Sequence, residues 1–110
     1  MDKKIHLEDT IKSALTTFFI NYGECEDENK LNEALHLLEV DLRFKANYYI
    51  KRKEYDADDV LDVLGNIKDS KFLEQGLEGV DFKNKTLILK KLDSMFKNLF
   101  NLIHILKNWS

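Results

Sequence analysis

The stretch "KTLILKKLDSMFKNLFNLIHILKNW", Lys85 to Trp109, decides the fold. Ile88, Leu92, Met95, Leu99, Leu102, Leu106 and Trp109 follow one another at alternating steps of four and three, a period that only a helix turns into a single face. Phe96, Phe100 and Ile103 widen that face beyond a two-position coiled-coil seam, so the helix needs apolar neighbours on two sides. The chain has no proline and four glycines in 110 residues. Helix breakers are therefore scarce, and the glycine-rich turns of a β fold are missing. The expected fold is all-α.

Upstream, Leu7, Ile11, Ala14, Leu15, Phe18, Phe19 and Tyr22 predict a first helix over roughly 7 to 22, with Gly23 placed for a left-handed C-terminal turn. Leu31, Leu35, Leu38, Leu42, Ala46 and Tyr49 predict a second over roughly 28 to 53, and Leu37, Val40, Phe44 and Tyr48 lie on a neighbouring face. "YDADDVLDVL", Tyr55 to Leu64, begins a third helix near Asp56 that runs to about Asp69. "DSKFLEQGLEGVDFKN", Asp69 to Asn84, is irregular, with room for a short helix at Phe72 to Leu77. The architecture expected is an antiparallel helical bundle of four main helices with a short irregular or helical segment before the last, forming one domain over residues 1–110.

Composition narrows the function classes. Charged residues make up 34% and hydrophobic residues 44%, the balance of a folded domain. The net charge of −3 gives no general attraction to nucleic acid. Cys25 is the only cysteine, so no intramolecular disulfide or cysteine-based zinc cluster can form, and a reducing, cytoplasmic location is the expectation. The N-terminal "MDKKIHLEDTIKSAL" lacks a signal-peptide core, and no segment reaches the roughly 18 to 20 apolar residues of a membrane span.

The carboxylates of "DADDVLD" admit two uses. Asp56, Asp58 and Asp59 suit a helix start, where side-chain oxygens accept from free amides and negative charge faces the helix dipole. Asp59 and Asp62, at i and i+3, also share a face and could reach one hard cation such as Mg²⁺. A second segment would then come from helix two, where Glu33, His36 and Glu39 recur at steps of three. "HLLE" at His36 to Glu39 with "DVLD" at Asp59 to Asp62 resembles the paired acidic motifs of MazG-type all-α nucleotide pyrophosphohydrolases, Glu-x-x-Glu followed by Glu-x-x-Asp. Two of those four positions depart from the pattern, His36 and Asp59. The resemblance implies a Mg²⁺ site at Glu39, Asp59 and Asp62, with Glu33 or His36 assisting.

"RFKANYYIKRKEY", Arg43 to Tyr55, interleaves cations with three tyrosines, a composition that suits RNA. Helical phasing nevertheless puts Tyr49 in the core stripe and Tyr48 beside it, leaving the cations as a helix C-terminus, which argues against nucleic acid as the partner. A HEPN-type ribonuclease would carry Arg followed four to six residues later by His, and no arginine here has that partner. Glycine-rich phosphate loops and nucleophile elbows are also missing from the sequence.

The reading that needs no catalysis is a small cytoplasmic protein-interaction module, of the immunity-protein, antitoxin or inhibitor kind, with no cofactor. Its expected surfaces are the acidic edge Glu24, Glu26, Asp27 and Glu28, and the widened C-terminal helix at Phe96, Phe100 and Ile103. The second surface would also support a homodimer through the C-terminal helix.

Overall fold

The computed structural model describes residues 3–109, with side chains placed from Ile5 to Asn108. It is all-α: α1 (Lys3–Tyr22), α2 (Glu28–Lys51), α3 (Ala57–Asp69), α4 (Phe72–Gly76) and α5 (Phe82–Trp109), with no strand among the described residues. The side chain of Trp109, the last position of the C-terminal stripe, lies outside the described ones.

Each helix end has a local cause. Asp27 caps α2, its Oδ1 accepting from the backbone N–H of Asn29 at 3.0 Å and of Lys30 at 3.3 Å. α2 stops at Lys51 rather than near residue 53, because Lys53 takes a left-handed φ of 60°. That turn lets the Lys53 N–H reach the Ile50 carbonyl and the Glu54 N–H reach the Tyr49 carbonyl, the paired bonds of a Schellman motif. α5 begins three residues before the expected Lys85. Asp81 accepts there from the Lys83 N–H through its side chain and from the Lys85 N–H through its carbonyl, an N-cap that apolar periodicity does not register.

Gly23 corrects an expectation. Among the described residues Gly79 is the glycine with positive φ, at 85°, so Gly23 does not close α1 in a left-handed turn. Its lack of a side chain serves close approach instead: a Cβ there would stand 2.6 Å from the Phe19 carbonyl oxygen, and one on Gly76 would overlap the Phe19 ring. Both glycines let backbone close around the buried Phe19.

Side-chain bonds between helices give their directions. Glu28 meets Lys91 and Glu39 meets Asn98, so α2 and α5 run parallel. Asp58 meets Lys107 and Lys68 meets Asp93, so α3 and α5 are antiparallel. α1 packs on α2 and α3, and α5 packs on the same two helices from its side, within extents of 41 × 29 × 19 Å. The core joins Leu7, Ile11 and Leu15 of α1, Leu31, Leu38 and Leu42 of α2, Val60, Leu64 and Ile67 of α3, and Ile88, Leu92, Phe96, Leu99 and Ile103 of α5. No polar or charged residue is buried among the described residues.

Candidate interaction surface

The two sides of α5 are both used internally. Phe96 and Ile103 are fully buried, because α5 lies between α2 and α3 and needs apolar side chains toward each. Phe100 is half-buried, packed against the core with the Lys68 ammonium 5.7 Å from its ring. Of the partner-binding face expected at Phe96, Phe100 and Ile103, Phe96 and Ile103 are thus corrected to core: the width of the stripe there reflects two intramolecular neighbours. On α5, Phe82 in the first turn and Ile105 near the end are the large apolar residues left exposed among the described side chains.

Four of the eight large apolar residues exposed among the described side chains lie on α2. Leu37, Val40 and Phe44 stand 61%, 45% and 72% exposed on the side of the helix opposite its core stripe. Val40 and Phe44 border an open groove of about 810 Å³ between the C-terminal halves of α2 and α5, and Leu37 lies one turn before Val40. Its apolar wall is Val40, Phe44, Ile50, Leu102 and Leu106, and Arg43, Lys51 and Lys53 supply positive charge. The left-handed backbone of Lys53 therefore sits at the edge of this groove, where a residue other than glycine or asparagine is uncommon. Periodicity along α2 already separated Leu37, Val40 and Phe44 from the core stripe. It could not show that α5 leaves them uncovered, which depends on how the helices pack.

The acidic edge divides. Glu24 and Glu26 are exposed in the loop before α2. Asp27 is engaged as the α2 cap, and Glu28 lies 3.4 Å from the Lys91 ammonium.

The carboxylates of "DADDVLD" are likewise distributed. Asp56 caps α3 and, with Asp59, forms a reciprocal capping box: Asp56 Oδ1 accepts from the Asp59 N–H at 2.8 Å, and Asp59 Oδ2 accepts from the Asp56 N–H at 3.3 Å. Asp58 pairs with Lys107 at 2.7 Å. On α2, Glu39 accepts from the Asn98 amide of α5 at 3.0 Å, while Glu33 and His36 are exposed. Among the described residues no three His, Cys, Asp or Glu side chains come together as a metal site, so Glu39, Asp59, Asp62, Glu33 and His36 are not assembled around one point.

The basic end of α2 is also partly committed. Arg52 donates to the Tyr48 hydroxyl at 2.7 Å and lies over its ring at 5.2 Å, and Tyr49 packs edge-on against the buried Tyr55. Rings held in this way are poorly placed to stack on bases.

No helix among the described residues is long and apolar enough to cross a membrane. No protein family, curated protein or solved structure matches the chain.

Proposed function

We propose that this protein is a protein-interaction module, a helical domain that acts by binding a protein through the face formed by the outer side of α2 and the α2–α5 groove. The observation that carries this reading is the exposure of Leu37, Val40 and Phe44 beside that groove. Contiguous exposed apolar surface rimmed by charge is the usual mark of a binding site on a folded domain. The cationic rim of Arg43, Lys51 and Lys53 adds electrostatic selection of what docks. The reading needs no cofactor, and a single cysteine suits a cytoplasmic setting.

Purification from the native host, with the wild type and Phe44→Glu run side by side, tests the proposal. Because Phe44 is 72% exposed, the variant should keep the wild-type unfolding temperature. A stoichiometric protein partner, whether another protein or a further copy of this one, held by the wild type and lost from the variant is the expected result. Equal retention by both would move binding away from this face.

A further inference from the structure

The outer side of α2 is complementary to itself when run backwards. Glu33, Leu37, Val40, Phe44, Asn47 and Lys51 succeed one another at steps of four, three, four, three and four. That spacing holds a seam on one side of a helix for a facing helix. Five of the six are exposed and Asn47 is half-buried in the groove, so the core does not use this seam. Its order is acidic, three apolar residues, an amide, then basic. Neither Glu33 nor Lys51 forms an ion pair among the described residues.

Two such helices packed antiparallel, with a two-fold axis level with residue 42, put Val40 against Phe44 of the second copy. Leu37 then meets Asn47, and Glu33 meets Lys51. By symmetry each meeting occurs on both sides of the axis. A slip of one heptad sets Glu33 against Phe44 in one direction and Lys51 against Val40 in the other. A parallel pair sets Glu33 on Glu33 and Lys51 on Lys51. Like charges in contact, or a charge pressed on an apolar side chain, disfavour each of these alternatives, so the charges select one register.

We infer that the occupant of this face is a second copy of the chain, bound as an isologous dimer with the α2 helices antiparallel in the Val40–Phe44 register. The inference rests on the reading of this face as an interaction surface, and it adds the partner and the geometry. In that register Leu37 of the second copy falls at the level of Asn47, above the groove walled by Ile50, Leu102 and Leu106.

Light scattering and sedimentation of the wild type, Glu33→Lys, Lys51→Glu and Phe44→Glu test it. The wild type should run at twice the 13.0 kDa chain mass. Each charge reversal alone creates two like-charge meetings and should weaken association by about tenfold or more. Mixing the two charge-reversed variants makes every such meeting attractive again, so the mixture should recover a two-chain species that neither variant forms alone. Unfolding temperatures of the separate variants control for changes within the monomer. A wild type that stays at single-chain mass at its highest soluble concentration overturns the inference. So does a dimer indifferent to all three substitutions, or a mixture that fails to recover association. If the wild type is monomeric yet a different bound protein is lost with Phe44→Glu, the interaction reading stands and the self-association does not.

Discussion

Asn84, in the first turn of α5, donates its side-chain amide to the carbonyl of Cys25 at 2.8 Å and, less closely, to that of Gly23 at 3.4 Å. This bond joins the α1–α2 loop to a helix that starts some sixty residues later. Without it, the Cys25 carbonyl in a partly buried setting loses its side-chain donor. Asn84→Ala should therefore destabilise the fold by about 1 kcal/mol, and Asn84→Asp by more, since it sets an anionic acceptor against carbonyl oxygens. Urea unfolding followed by circular dichroism measures both. Equal stability of all three proteins would mean that water replaces the amide without loss.

Lys53 offers the opposite sign. It occupies the left-handed position of the Schellman turn after α2, with φ at 60°. A side chain in that conformation costs about 1–2 kcal/mol, and part of the gain from removing it is lost to the greater freedom of an unfolded glycine, about 0.4–1 kcal/mol. Lys53→Gly should thus raise stability by about 0.5–1 kcal/mol, and Lys53→Val should lower it. Shifts of the urea midpoint at unchanged slope decide this.

How far the sequence could be read depends on which forces it records. Apolar spacing located every long helix, since burial of a face is periodic in the chain itself: Leu31 to Ala46 and Ile88 to Ile103 are core as their phasing implies. It missed the first turns of α1 and α5, where Lys3 and Phe82 extend the helices beyond the apolar stripe. It also misplaced the free surface. Phe96 and Leu37 look equally apolar in the sequence, and only the packing of α5 between two neighbours determines that one is buried and the other is not.

The capping box bears on the metal reading implied by the resemblance to pyrophosphohydrolases. Asp56→Ala removes the acceptor for the Asp59 N–H and should cost about 1 kcal/mol. A divalent ion drawing on Asp59 would compete with its bond to the Asp56 N–H. Millimolar Mg²⁺ is accordingly expected to leave the unfolding temperature unchanged. A rise that disappears in Asp59→Asn with Asp62→Asn would revive the hydrolase, because a ligand specific to the native state stabilises it by mass action.

Two surface groups, Asp93 and Lys107, set the expected pH response. Hydrogen bonds from Lys68 first, then Lys97, hold the Asp93 carboxyl below its usual 3.8. A depressed carboxyl stabilises the fold above its unfolded value and loses that contribution as pH falls through the folded one. Lys107 is shifted the other way, raised above 10.5 chiefly by its hydrogen bond with Asp58, so its contribution is whole below 10.5 and lost as pH rises through the folded value. The stability gap between wild type and Asp93→Asn should hold near neutral pH and close below 3.8. The gap to Lys107→Met should hold at neutral pH and close in strong alkali. Both gaps should narrow with added salt, since all five charged groups are at the surface.

Phe96 and Phe44 make the sharpest contrast between core and free surface. Phe96 is 0% exposed at the centre of α5, among residues of α2 and α3, and Phe44 is 72% exposed on the outside of α2. Phe96→Ala leaves a cavity that its neighbours cannot close and should cost about 3–5 kcal/mol, a large share of the stability of a domain this size. Phe44→Ala should change the stability of a single chain by no more than about 0.5 kcal/mol. In a concentrated sample, however, the same substitution should make unfolding less dependent on protein concentration, because association adds to apparent stability only where the contact is made. Unfolding temperatures across a hundredfold dilution separate the two effects. A wild type whose unfolding temperature ignores dilution, and a Phe44→Ala variant as damaged as Phe96→Ala, would place Phe44 in the core and leave α2 with no free face.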